Sequence, residues 1–394
     1  MNLKKILAAS IVKNIDLAAL AAIIMILAAL AALLISNSTL FAAYHNLITM
    51  PFTMGWGSFA LTSSFASWVK ELGMAFFFLN ITLELKKEFY EGFLTDRSQF
   101  ILPLIATTGG IVFPALVYFL INYNTPQYMA GFAIPCATDI AFSMCVFNLL
   151  VKKFSPAIKV FLLSIAIFDD LGSMVIIALF YNHQLQLAAI LISGLIAIVL
   201  LILNHKKIQS FIPYAFLGAG LWIAFYKAGL HTTMSGVVIG ACIPMYSGKG
   251  SSISPLKKLS SLIHPWVAFG VLPIFAFVSS GVAFSHLKFS DLLHPISLGV
   301  IAGLFIGKQF GIFFSTYLAV KLKLARLPEQ SNWFEVYVAA CLAGIGFTMS
   351  LFIGFLAFEE NEMLQDFVKI SILFSSVITV IYSALVIQIN KSAQ

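Results

Sequence analysis

From Val160 to Tyr181 the chain is apolar over a full helix length, except for two adjacent aspartates, Asp169 and Asp170. A run of about 20 apolar residues matches the hydrocarbon thickness of a bilayer. Inside lipid the backbone must satisfy its own hydrogen bonds, which leaves the helix as the conformation for a continuous run. Such runs recur along the sequence. They predict about twelve spans, at 14–36, 66–85, 99–121, 128–150, 157–181, 185–204, 210–228, 231–246, 262–284, 294–320, 332–357 and 366–388, of which the eighth is short. Charged residues make up 10% of the chain, against about 25% in soluble domains. Outer-membrane barrel strands would alternate in short segments, and these blocks are long and continuous. The expected fold class is an all-α polytopic membrane protein, with residues 1–394 forming one transmembrane domain.

The predicted loops sort by charge. Eighteen of the 23 basic residues fall on one side, among them Lys4, Lys86, Lys87, Lys152, Lys206, Lys257, Lys321 and Lys391. Only Lys227, Lys288 and Lys369 lie in opposite loops or helix ends, while Lys70 and Lys308 belong to spans. Basic loops stay in the cytoplasm, so both termini are expected there, as an even number of spans requires. The net charge of +7 is thereby a topology signal, and no nucleic-acid partner is expected. Met1 to Lys13 reads as a short basic surface segment ahead of an uncleaved first helix. The four cysteines lie within apolar runs without metal-ligand spacing, and no cofactor is expected. One outer connection is long. It runs from Ser38 to about Ser64 and carries Pro51, Gly55, Trp56 and Gly57, which is compatible with a small hairpin.

Charge at membrane depth is the strongest functional signal. A carboxylate at the bilayer centre costs about 2.5–3.5 kcal/mol on insertion scales, so Asp169 and Asp170 are functional candidates. Neighbouring carboxylates that cannot easily both be charged hold a proton or a hard cation, which prefers oxygen ligands. Consecutive helical residues point about 100° apart. One of the pair can therefore face Lys308, and the other Asp139 and an ion path. Lys308 lies mid-span in Phe305-Ile-Gly-Lys308-Gln-Phe-Gly311, too deep to reach an interface by snorkelling. Glu84 lies near one end of span two. Lys70 and Glu71 lie near the other, where a solvated helix end accounts for them as well as a functional role does.

Two spans carry helix-breaking residues. In Ala133-Ile-Pro-Cys-Ala-Thr-Asp139, Pro135 removes a backbone donor, and Thr138 and Asp139 offer acceptors where a helix could restart. Span four is thus expected as two half-helices. In Ala343-Gly-Ile-Gly-Phe-Thr-Met-Ser350, Gly344 and Gly346, followed by Thr348, weaken span eleven midway. Interrupted segments in corresponding positions of two halves point to a transporter binding site. Spans 3–5 and 10–12 would be inverted repeats, with the interrupted spans crossing near the midplane. Asp139 would face positive half-helix N-termini, and Lys308 negative C-termini.

In combination, Ala137-Thr-Asp-Ile-Ala-Phe142, Ile167-Phe-Asp-Asp-Leu-Gly172, Gly229-Leu-His-Thr-Thr233, His264-Pro-Trp266, Leu272-Pro-Ile-Phe-Ala-Phe277, Gly307-Lys308 and Gly344-Ile-Gly-Phe-Thr-Met-Ser350 resemble the NhaA-type sodium/proton antiporters of bacterial inner membranes. The resemblance covers nearly the whole chain. It implies that Asp169 and Asp170 carry Na⁺ or Li⁺ and protons, with Thr138 beside them and Asp139 and Lys308 compensating charge. It implies electrogenic exchange, with more protons moving inward than cations outward, switched on at alkaline pH. It implies a homodimer in the lipid bilayer, joined partly through the 38–64 loop. Glu84 and Glu88 match acidic residues at a cytoplasmic entrance and pH-sensing region, and His231, which opens span eight, is a further candidate sensor.

The chain departs from the family pattern at several places. Gln309 replaces a frequent proline after the lysine, and Thr82 a glycine before Glu84. Ser260 and Ser261 stand where well-studied members carry an acidic residue and a histidine, so a shifted or blunted pH response is expected. Three other functions compete. An intramembrane aspartyl protease also needs two membrane aspartates, but its usual Gly-x-Gly-Asp is missing and Lys308 has no place in it. The others are an ion-translocating subunit of a larger complex and a solute/Na⁺ symporter.

Overall fold

The computed structural model describes residues 17–55, 60–92, 97–151, 154–181, 185–246, 254–286, 289–359 and 361–393. The N-terminal basic segment, Lys152, Lys153, Lys249, Lys288, Trp56 and Gly57 lie outside the described residues. After α1 (Leu17–Ser36) and a short α2 (Phe41–Thr49), strands β1 (Pro51–Met54) and β2 (Leu61–Ser64) pair antiparallel, Pro51 opposite Ser64 and Met54 opposite Leu61. The long outer connection therefore does contain a hairpin. A continuous helix, α3 (65–91), follows, with one π-helical turn at Val69–Gly73.

The first set of crossing elements is α4 (Arg97–Asn122), a 3₁₀ arm (Pro126–Cys136), α5 (Ile140–Leu150) and α6 (Pro156–Phe180). Next come α7 (Leu187–His205), α8 (Phe211–Ala228), α9 (Met234–Cys242) and α10 (Pro255–Ser280). The second set is α11 (Pro295–Lys321), α12 (Trp333–Leu342), α13 (Phe347–Ala357) and α14 (Glu362–Ala393). Each set thus holds a long helix, a broken one and another long helix. The arm and α5 bend by 48° and α12 and α13 by 46°, at the two places where the sequence predicts interruption.

Among the described residues, eight helices and these two bent pairs are long and apolar enough to cross a membrane. The other two expected spans are present as helices but fall short by that measure, so the count of twelve is not met on length and composition. In α3 the charges at Lys70, Glu71, Glu84, Lys86, Lys87 and Glu88 interrupt the apolar run. Nine residues of α9 rise about 13 Å, less than half a bilayer core. That short helix sits close on α3. A Cβ at Gly236 would strike the Ala75 and Leu79 backbone, and one at Gly240 would strike Thr82. The ninth span also begins earlier than expected. Pro255 takes the first helical turn and Ser254 caps it by accepting from the Lys257 N–H, so the basic stretch before His264 is helical.

The core lies at the meeting of the two sets and draws on Ile134, Leu162, Ile165, Leu304, Ile312 and Phe352. Helices α4 and α11 touch through glycine. A Cβ at Gly109 would strike the Gly311 carbonyl, and one at Gly311 would strike the Gly109 carbonyl. Close backbone approach through small residues is the usual way membrane helices pack. It holds α11, and therefore Lys308, against the first set.

Candidate functional site

The crossing is built from two stretches of backbone that cannot stay helical. Pro126, Gly131 and Pro135 all lie in the 3₁₀ arm, and Ala137 then leaves helical geometry at φ −90°, ψ 150°. Opposite it, the chain between Leu342 and Phe347 passes Gly344, where a Cβ would collide with the Leu304 carbonyl. The two strips bind each other. The Asp139 N–H donates to the Ile345 carbonyl at 2.7 Å. Ser350 Oγ donates to the Ile134 carbonyl at 2.8 Å. Non-helical backbone at this depth is sustained because each strip supplies partners to the other.

Asp139 caps both restarting helices. Its Oδ1 accepts from the Phe142 N–H of α5 at 2.9 Å. Its Oδ2 accepts from the Thr348 N–H of α13 at 3.0 Å and from the Thr348 hydroxyl. A carboxylate at two helix N-termini meets two positive dipole ends. Lys308 does the complementary job: its Nζ donates to the Cys136 carbonyl, the last of the 3₁₀ arm. Asp139 thus meets both half-helix starts, whereas Lys308 meets one of the two half-helix ends, the other carbonyl, Ala343, going to Thr138. Lys308 leaves α11 immediately after a π-helical turn at Gly303–Gly307, although Gln309 occupies the usual proline position. The backbone irregularity there is a π turn, of the kind that frequently marks functional sites.

The aspartate pair divides its roles. Asp169 Oδ2 lies 2.7 Å from Lys308 Nζ, and both side chains are 0% exposed. The Thr138 hydroxyl lies 2.6 Å from the same carboxylate oxygen and 2.7 Å from the Ala343 carbonyl. One hydroxyl proton serves these two acceptors. Asp170 is different. It is fully buried, and neither carboxylate oxygen has a hydrogen-bond partner among the described residues; Asp169 Oδ1 shares that state. Asp139, Asp169, Lys308 and Glu84 lie within electrostatic reach of Asp170. Charged or not, a buried carboxyl without donors is costly and finds relief in a proton or a hard cation. Asp170, Asp169 Oδ1, Thr138 Oγ1 and the Ala343 carbonyl supply the oxygen chemistry such a cation needs.

The remaining candidates separate. Glu84 Oε1 accepts from Asn80 Nδ2 at 3.0 Å and lies 2.8 Å from His264 Nδ1, a half-exposed pair near the basic face. His264 was visible in the sequence only as part of a motif. Nothing local links it to Glu84, 180 positions away. Glu88 lies one turn beyond Glu84 on α3. His231 is not brought to them. It lies just ahead of α9 and lines a cavity near the 38–64 connection, at the other end of the molecule. Pro135, Gly344, Gly346 and Thr348 all lie at the crossing, and Thr348 proves to be a partner of Asp139 as well as part of a break.

The sequence profile described as Na⁺/H⁺ antiporter 1 matches residues 13–387. The chain is 42% identical over 367 residues to Na⁺/H⁺ antiporter NhaA 2 of Saccharophagus degradans, covering 93% of this chain and 96% of that one. It is 43% identical over 356 residues to Na⁺/H⁺ antiporter NhaA of Shewanella pealeana, covering 90% of each. Among solved structures it is similar to the sodium proton antiporter MjNhaP1 of Methanocaldococcus jannaschii, with a TM-score of 0.52 over 93% of this chain and 89% of that one. Identity to it is 15%, so this likeness bears on the fold alone.

Proposed function

We propose, for a chain that belongs to the Na⁺/H⁺ antiporter 1 family and exchanges Na⁺ for H⁺ across a membrane, that Asp170 is the carboxylate at which proton and cation compete. The carrying observation is its burial with two unpartnered oxygens. A proton or a Na⁺ satisfies this carboxylate, and neither can stay when the other binds. Asp169 takes part through its free oxygen and through its ion pair with Lys308. A cation arriving at Asp169 weakens the hold on Lys308. Thr138 offers a neutral oxygen to the same ion, and Li⁺ suits the same hard ligands. Asp139 and Lys308 compensate the half-helix ends and keep the crossing in register.

Further properties follow from the same reading. More protons move inward than cations outward. Both termini face the cytoplasm of a bacterial inner membrane, a placement supported by the sorted loop charges. Glu84, with His264 and Glu88, forms the cytoplasmic entrance. The protein pairs as a homodimer through the hairpin, whose Phe52 and Met54 are exposed on a short open sheet. Open strand edges invite pairing with a second chain.

The test is Na⁺-driven proton movement in everted vesicles carrying Asp170→Asn or Asp169→Asn. Both substitutions should abolish exchange. Wild-type turnover in Asp170→Asn would remove the competition account.

A further inference from the structure

Asn80 lies on α3 one helical turn before Glu84, further from the basic face. The two side chains differ in their surroundings. Asn80 is 5% exposed, whereas the side chains of Glu84 and His264 are 37% and 53% exposed. Asn80 Nδ2, at 3.0 Å, and His264 Nδ1, at 2.8 Å, reach the same atom, Glu84 Oε1. The other carboxylate oxygen, Oε2, has no hydrogen-bond partner among the described residues. Leu85, the next residue, packs in a buried cluster with Ile167 and Phe168 of α6. This turn of α3 therefore lies against the turn of α6 that leads into Asp169 and Asp170, and Glu84 is within electrostatic reach of Asp170.

Packing alone does not account for an amide at position 80. A carboxylate can only accept, so the NH₂ of Asn80 faces Glu84 and the amide oxygen faces away. That oxygen, Oδ1, is buried with no partner among the described residues. A buried carbonyl without a donor is costly, and an apolar side chain of the same shape would avoid the cost. An interior asparagine that leaves one end unsatisfied has its use at the other end, on Glu84. Burial fixes the amide, whereas a half-exposed glutamate is free to turn. On a helix a glutamate has about two open χ1 wells and three χ2 wells, or about six conformers. A fixed donor one turn away selects among them.

We propose that Asn80 is a positioning residue for Glu84. Its amide holds Oε1 from the buried side and His264 holds it from α10, which leaves Oε2 open to an incoming cation. This inference rests on the reading of Glu84 as an entrance, and it names what keeps that entrance in one conformation. A cation that needs one conformer binds with an apparent affinity reduced by that conformer's population. Releasing Glu84 among about six conformers weakens Na⁺ capture by at most about sixfold, and since His264 retains part of the hold, about threefold is expected.

The experiment uses full-length protein in everted vesicles at one fixed pH, with the apparent Na⁺ KM and kcat read separately. Asn80→Leu should raise KM about threefold and leave kcat near wild type. Asn80→Ala serves where the leucine variant folds poorly, and Asn80→Gln, which keeps the donor, should hold KM near wild type. Glu84→Ala should raise KM by itself. Adding Asn80→Leu to it should change nothing more, because the amide then has no carboxylate to place. An unchanged KM in Asn80→Leu, a loss confined to kcat, or an additive double variant overturns the positioning role. A wild-type KM in Glu84→Ala would instead overturn the entrance reading.

Discussion

Asp139 offers the sharpest test of how the crossing is held. Its carboxylate accepts from the Phe142 N–H, the Thr348 N–H and the Thr348 hydroxyl, all in a buried setting. In Asp139→Ala two backbone donors at the starts of α5 and α13 lose their partner. Each orphaned buried donor costs about 1–3 kcal/mol. Loss of two N-caps, at about 0.5–2 kcal/mol each, gives a similar total. The expected destabilisation is therefore about 3 kcal/mol, a large share of any protein's stability. Asparagine caps as well as aspartate but has a single carbonyl oxygen, and its NH₂ would point another donor at donors. Asp139→Asn should lose roughly half as much, about 1.5 kcal/mol. Thr348→Val removes the hydroxyl and keeps the N–H, so it should cost about 1 kcal/mol. Unfolding free energies from denaturant titration of the three purified variants provide the measurement. The double-cap account is refuted if Asp139→Ala unfolds within about 0.5 kcal/mol of wild type. It is also refuted if Asp139→Asn is as damaging as Asp139→Ala, because charge and not capping would then dominate.

Lys308→Ala leaves Asp169 buried without its partner, a change that typically costs about 3–5 kcal/mol; adding Asp169→Ala should recover part of the loss in the same titration, and a purely additive double variant would argue against the pair. Gly344→Val places a side chain against the Leu304 carbonyl, so its expression and thermal midpoint should both fall, whereas a midpoint equal to wild type would mean that the strip moves freely. On the proposed competition of protons and Na⁺ at Asp170, the apparent Na⁺ KM should rise as pH falls, by up to about tenfold per pH unit; a KM flat from about pH 6.5 to 9 contradicts competition. His264→Gln removes the partner of Glu84 in a half-exposed pair worth at most about 1 kcal/mol, so the pH profile should flatten further while stability is unchanged. Reconstituted protein should generate a membrane potential during exchange, and strict electroneutrality would remove the proton excess.

The sequence makes some of this architecture plain and hides the rest for identifiable reasons. Asp169, Asp170 and Lys308 stand out because charge is expensive in lipid. Pro135 and Gly344 stand out because helices tolerate such residues poorly. Both are local properties. Which aspartate meets Lys308 is not local. Two side chains 100° apart allow either choice, and only the seating of α11 on α4 through Gly109 and Gly311 selects Asp169. The Thr348–Asp139 contact spans 209 positions and leaves no periodic trace. The π turns at Val69–Gly73 and Gly303–Gly307 have no composition of their own, so these two irregularities could not be read in advance. The early start of α10 at Pro255 escapes because a hydropathy run does not reveal where the backbone actually turns.

Under the proposed mechanism, the charges at the crossing account for a proton excess. Two broken helices bring two positive N-termini and two negative C-terminal ends to one place, and to first order their partial charges of about one half each cancel. Fixed groups already serve three of these ends individually: Asp139 takes both N-termini, and Lys308 takes the Cys136 carbonyl. The Thr138 hydroxyl reaches the carbonyl of Ala343, at the fourth. What remains is three carboxylates against one ammonium. When all four are ionised, two negative charges are left in a site fully closed to water. Two protons neutralise that excess, whereas one Na⁺ neutralises half of it. The residual charge with Na⁺ bound raises the free energy of that state. Lys308 limits the rise by remaining nearby, though Asp169 holds it more weakly, and Asp139 by leaning on two helix dipoles. A crossing with fewer fixed carboxylates would carry the same ions with less contrast between the loaded states. In the proposed mechanism the unsatisfied Asp170 is the part of the arrangement that makes proton and cation exclusive, and its neighbours set how many protons that exclusion would be worth.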